Sequence, residues 1–237
     1  MNSLKEKNIL IIGGSSGIGH ASIELLVEMG ANVYNASRRA SKVEGVHNIE
    51  LDILEDFQKI NEIPAVIDGL IYAPGTINLK PFQSLKVEDY RNDFEVNVLG
   101  ALKTIKAVLK NLRGAEGSPG IVLFSTVAVS QGMSFHTSVA AAKGAIEGVT
   151  RSLGAEFAKN KIRVNAIAPS LTDTPLADGL LASEEKRKAS EDRHPLKTIG
   201  QPSDIASMAV HLLSDQSKWI TGQVFHMDGG MSSIRPL

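Results

Sequence analysis

The chain of 237 residues contains no cysteine, which excludes disulfides and thiolate metal sites, so no metal centre is expected. A reducing cytoplasmic home is the simplest one. It also lacks an excess of charge of either sign: 25 basic residues against 26 acidic ones leave a formal charge of −1. That balance gives no reason to expect nucleic acid or an anionic membrane surface as partner. No apolar run approaches the roughly 20 residues that span a bilayer. The opening MNSLKEKNILIIGG is charged and then only briefly apolar, unlike a signal peptide. There is no internal repeat, low-complexity stretch or linker to divide residues 1–237, so a single domain is expected.

What is present is an alternation. Short apolar runs at 8–12, 32–36, 48–51, 66–72, 121–125, 163–167 and 223–227 are separated by helical patterns, the clearest over about 17–29, 87–112 and 137–159. Continuous apolar strands separated by helices predict an α/β fold: a doubly wound parallel sheet of about seven strands, covered on both faces. Ligands of such sheets bind beyond the carboxyl ends of the strands, where strand order reverses.

The first run ends in Gly13-Gly14-Ser15-Ser16-Gly17-Ile18-Gly19 and leads directly into a helix. Glycines there let the backbone turn tightly and approach a pyrophosphate, whose charge the helix N-terminus stabilises. A plain glycine turn would not need glycine at 13, 17 and 19 together, so a Rossmann-type dinucleotide site is expected. About 20 residues on, an NAD site wants a carboxylate. The chain offers Ser37, Arg38 and Arg39 instead, two guanidinium groups suited to a 2′-phosphate. NADP(H) is favoured over NAD(H), the alternative being a solvated basic loop. Lys143 stands among small residues in VAAAKGA. Helix statistics alone read it as a snorkelling surface lysine; its neighbours suggest a site.

With that loop, Asn97 in NVLG, Lys143, and the late stretches NAIAPSLTDTP and ITGQVFHMDGG, the chain resembles the short-chain dehydrogenase/reductase family over essentially its whole length. The resemblance implies that Asp52, with Ile53 after it, lies against an adenine. It also implies that Gly75 and Pro169 line the cofactor, and that Thr172 and Thr174 reach the nicotinamide amide and the phosphates. Of the family's asparagine, serine, tyrosine and lysine, Asn97 and Lys143 match, and Thr126 falls on the serine with Ser125 beside it. The tyrosine position is Val139, four residues before the lysine, and valine has no proton to give.

His136 is one helical turn before Val139 and two turns before Lys143, the spacing at which enoyl-reductase members of the family carry their tyrosine. An imidazole is suited to proton transfer near neutral pH. His136 is therefore the expected surrogate acid, unless it only bonds a loop backbone. The resemblance further implies hydride transfer to or from the carbonyl or alcohol of a small molecule, and a mobile lid over 175–200 with Leu176, Leu180 and Leu181 on its underside. It also implies a homo-oligomer, dimer or tetramer, paired through the helices at 87–112 and 137–159, with Trp219 near a second contact. Two readings stay open: an NADP(H)-dependent reductase with an altered proton donor, and a catalytically silent NADP(H)-binding subunit or sensor.

Overall fold

A computed structural model describes residues 4–235. Seven strands form one sheet, parallel throughout, in the order β3-β2-β1-β4-β5-β6-β7. In chain order the elements are β1 (Asn8–Ile12), α1 (Gly17–Glu28), β2 (Asn32–Ser37), β3 (His47–Glu50), β4 (Gly69–Tyr72), α2 (Val87–Phe94), α3 (Gly100–Arg113) and β5 (Gly120–Phe124). Then follow the one-turn α4 (Ala128–Gln131), α5 (Thr137–Phe157), β6 (Arg163–Pro169), α6 (Glu184–Arg193), α7 (Pro202–Leu213) and β7 (Val224–Met227).

Alternation along β1 builds a core on each face of the sheet. Leu10 and Ile12 pack with Ile105 and Val108 of α3 and Ile146 of α5, whereas Ile9 and Ile11 pack with Ile23 and Leu26 of α1 and Val210 of α7. Both faces are therefore apolar, as parallel strands require. No helix among the described residues is long and apolar enough to cross a membrane.

Two elements depart from the sequence reading. The strand expected over 66–72 pairs only from Gly69, because the preceding residues bond elsewhere. The Ile67 amide reaches Asn111 O, and the Asp68 carboxylate takes the Asn8 amide and Lys7 Nζ. The helix expected over 87–112 is three segments, α2 and α3 joined by a π-helical turn at Glu95–Leu99. The buried Tyr72 hydroxyl donates to Val96 O at 2.6 Å and lies where a Cβ on Gly100 would stand, 2.3 Å away. A widened turn with an inserted side chain is a recognised site of function, and Asn97 sits in the middle of it.

Candidate functional site

Strand order reverses at β1, which has β2 on one side and β4 on the other, so a crevice opens beyond their carboxyl ends. The loop from β1 to α1 borders it. Gly13 has φ +79° and Gly17 φ +56°, a region costly for side chains. A Cβ on Gly19 would lie 2.5 Å from Gly13 O, so this glycine lets the helix close onto the loop. Ser16 stands at the N-cap without a side-chain cap bond, which leaves the first amides of α1 for a ligand. The loop is held from below by Asn35, fully buried in β2, whose Oδ1 accepts the Gly14 amide at 3.0 Å. Sequence reasoning missed Asn35; the signal was a polar residue inside an apolar strand.

Across the crevice Thr174 packs on Gly17, its Cβ 3.4 Å from where a Gly17 Cβ would stand. This joins the loop after β6, with Pro169, Thr172 and Thr174, to the glycine loop carrying Ser15, Ser16 and Ile18. Beyond β2, Ser37 Oγ donates to Arg39 O at 2.6 Å, and Arg38 and Arg39 are exposed. Arg38 and Asp52 line one small cleft, and Asp52 Oδ1 accepts the Leu54 amide at 2.9 Å. Ile53 stands beside Gly100, its Cδ1 3.2 Å from where a Gly100 Cβ would lie.

At the other end lies a cavity of about 490 Å³, lined by Gly75, Thr126, His136, Val139, Lys143 and Thr172 among others. Lys143 is 8 % exposed, so the snorkelling reading fails. Burial pulls its pKa down to about 8, against an opposing pull from Asp93. Its Nζ makes no hydrogen bond to a described residue. Asn97 is likewise half spent: Nδ2 donates to Asp93 O at 2.7 Å and to Thr76 Oγ1 at 2.8 Å, while the buried Oδ1 has no partner among the described residues. Gly75 separates the two groups. A Cβ there would be 3.4 Å from Asn97 Oδ1 and 3.6 Å from Lys143 Nζ, so a side chain at this position would press on both an acceptor and a donor.

Val139 is buried and presents only methyl groups to the cavity. None of the three tyrosines lines it among the described residues. Tyr72 is committed to Val96 O, and burial, aided by Glu95, drives its pKa up. His136 is half-exposed at the N-cap of α5, with Nδ1 2.7 Å from Ser134 O. An Nδ1–H donated there leaves Nε2 free to act. Thr126 Oγ1 accepts the Ala128 amide at a long 3.4 Å, whereas neighbouring Ser125 is used up donating to Glu147 at 2.9 Å. Thr126 is the hydroxyl that remains for a ligand.

Two further groups escaped the sequence reading. Asp93, fully buried one turn before Asn97, accepts Thr76 Oγ1 at 2.6 Å and Ser138 Oγ at 2.5 Å. A carboxylate in the charged run VEDYRNDF reads as solvated, although its spacing of four from Asn97 was visible. His194, also buried, bridges Ser190 O at 2.7 Å and Ser170 Oγ at 2.8 Å, tying the end of α6 to the end of β6. Of the leucines expected under the 175–200 segment, Leu176 and Leu180 line the cavity and Leu181 does not.

The glycine loop can be tested without activity. Gly19→Ala should destabilise the fold by about 1–3 kcal/mol, because overpacking against backbone outweighs the better helix propensity of alanine. It should also weaken nicotinamide-dinucleotide binding in a fluorescence titration. A variant as stable and as tightly binding as wild type would mean the loop has slack that its geometry denies.

The chain matches over residues 13–232 the family model described as enoyl-(acyl carrier protein) reductase. A tropinone reductase homologue of Arabidopsis thaliana is 32% identical over 250 residues, covering 97% of this chain and 92% of the relative. L-xylulose reductase of Bos taurus is 28% identical over 96% of this chain and 97% of its own length. Among solved structures, the ligand-free aldohexose dehydrogenase of Thermoplasma acidophilum superposes with a TM-score of 0.88 at 26% identity, covering 100% of this chain and 98% of that one. A short-chain dehydrogenase family protein of Francisella tularensis gives 0.86 at 29% identity, over 96% of this chain and 99% of its own. Sheet order, glycine loop and whole-length similarity agree: the chain belongs to the short-chain dehydrogenase/reductase family.

Proposed function

We propose that the chain is an NADP(H)-dependent oxidoreductase that interconverts a carbonyl and an alcohol on a small molecule, using a proton donor other than tyrosine. The observation that carries this reading is the pair of polar groups flanking Gly75, Lys143 Nζ in the cavity wall and the buried Asn97 Oδ1, neither with a hydrogen-bond partner among the described residues. A protein that only bound a dinucleotide would need the glycine loop and not this buried, costly pair. The relatives named as reductases and as a dehydrogenase support it.

The residues fit a dinucleotide: a cradle that a Cβ on Gly19 would fill, uncapped amides at α1, and Thr172 and Thr174 opposite. Arg38 and Arg39, without a carboxylate at the end of β2, favour a 2′-phosphate. A nicotinamide cofactor, when bound, supplies or accepts the hydride. The protein's share is the proton and the oxyanion. His136, as the imidazolium with its Nδ1–H on Ser134 O, would give its Nε2 proton to the carbonyl oxygen, become the neutral Nδ1–H tautomer, and regain a proton from solvent at its exposed edge. The Thr126 hydroxyl would donate to the same oxygen as charge develops. Lys143 would hold the cofactor ribose, with a water between it and Asn97 leading protons onward. The reading includes a homo-oligomer, since Phe94 and Leu99 beside α2 and α3 and Gly148 on α5 are exposed.

One observation favours a second reading, a silent NADP(H)-binding subunit or sensor: Val139 lines a cavity in which no tyrosine stands among the described residues. NADPH oxidation over ketones, 3-oxoacyl thioesters and enones, run on wild type, His136→Phe and Val139→Tyr, separates the two. The expected result is wild-type turnover that falls about 10²–10⁴-fold in His136→Phe. Turnover by Val139→Tyr alone would favour the silent subunit. Undiminished turnover in His136→Phe would remove His136 from the chemistry.

A further inference from the structure

Helix α6 turns one stripe toward the cavity. Lys186, Ala189, Ser190 and Arg193, at the helical spacing of three, four and seven, all line it. The other two cations of this region are spent on carboxylates, Arg187 on Asp173 at 2.9 Å and Lys188 on Asp192 at 3.3 Å. Lys186 and Arg193 are not: Lys186 Nζ reaches only Gly179 O at 3.3 Å, and Arg193 Nη2 donates to Ser190 Oγ at 2.9 Å. Neither has an ion pair among the described residues. No aspartate or glutamate among the described residues lines the cavity there, whereas Ile77, Leu79, Leu176 and Leu180 supply apolar wall. Seven residues of helix set the two Cα atoms about 10 Å apart. Long side chains can converge from there over the small Ala189 and Ser190, and His194 pins the end of the helix to β6.

Two unpaired cations above an apolar cavity free of carboxylates suit a ligand with a hydrocarbon body and an anionic end. Building on the oxidoreductase reading, we propose that the substrate is an oxo acid or hydroxy acid whose carboxylate, remote from the reacting carbon, is gripped by Lys186 and Arg193. The carbonyl end then lies toward Thr126, His136 and Lys143.

The test compares linear oxo acids of about five to ten carbons with their methyl esters, on wild type, Lys186→Gln/Arg193→Gln and the surface control Lys188→Gln. Calorimetric titration of each compound into protein with saturating NADP⁺ reads binding, NADPH oxidation reads KM, and fluorescence reads NADPH affinity separately. Wild type and the control should prefer acid over ester by at least about tenfold. The double variant should lose about 10–100-fold for the acid, with ester and NADPH affinities within about twofold of wild type. Equal binding of acid and ester by wild type would overturn the proposal and leave the oxidoreductase reading standing if esters turn over. So would a double variant that loses NADPH rather than the acid, since the cations would then serve cofactor phosphates. Failure of wild type to bind NADPH would instead sink the oxidoreductase reading, while titration of the acids without cofactor would still report on the two cations.

Discussion

Lys143→Met is expected to make the protein more stable and less active at once. The lysine pKa falls from 10.5 to about 8, chiefly through burial. At about 1.4 kcal/mol per pH unit, that is a cost of about 3 kcal/mol carried by the folded state. Between pH 8 and 10.5 the unfolded chain holds a proton that the folded chain has released, so wild-type stability rises with pH across that window. Below pH 8 both states are charged and the cost is complete; above 10.5 neither is, and it vanishes. The methionine variant, which buries a similar stem without charge, should exceed wild type by on the order of 2–3 kcal/mol at pH 7. That gain should fade to nothing by about pH 10.5. Denaturant unfolding at pH 7 and 10.5 measures it. NADPH-dependent turnover should fall by at least about a hundredfold. A variant less stable than wild type at pH 7 would show that Lys143 is a structural group, held by attraction rather than kept for use.

That trade is legible only in three dimensions. The sheet could be read from the chain, because runs such as Asn8–Ile12 are apolar on both faces and the packing on each side makes them so. The glycine loop could be read as well, since steric demands at Gly13 and Gly19 leave little choice of residue. The π-helical turn could not, because its cause is a Tyr72 hydroxyl 24 positions away. The inner stripe of α6 is regular in the sequence, yet periodicity does not say which face looks down, and the leucines that suggest an apolar underside stand before the helix. Local pattern fixes elements; long-range polar contacts decide the site, and pairs such as Asn35 with Gly14 leave no periodic trace.

Asp93 is the sharpest case, and its replacement is expected to be the most damaging to the fold. Its carboxylate accepts two hydroxyls, from the part-buried Thr76 and the buried Ser138, and Thr76 in turn accepts Asn97 Nδ2. Asp93→Ala removes both acceptors, leaving the buried Ser138 hydroxyl unpaired and Thr76 without its partner, a loss of about 3–6 kcal/mol at roughly 1.5–3 for each bond to a charged group. Asp93→Asn separates charge from hydrogen bonding, since its amide fills the same space, its Oδ1 still accepts, and a rotated hydroxyl can accept from its Nδ2. The asparagine variant should therefore lose much less stability than the alanine one. It should nonetheless shift the titration of Lys143 downward from about 8, because Asp93 is the charge that holds that pKa up against burial. NMR titration of ¹³C-methylated lysines follows Nζ directly, beside thermal unfolding of both variants. An unchanged Lys143 titration in Asp93→Asn would mean that the carboxylate serves packing alone. Two variants equally unstable would mean that the charge, rather than the two hydroxyl bonds, holds α2, the π-helical turn and α5 together.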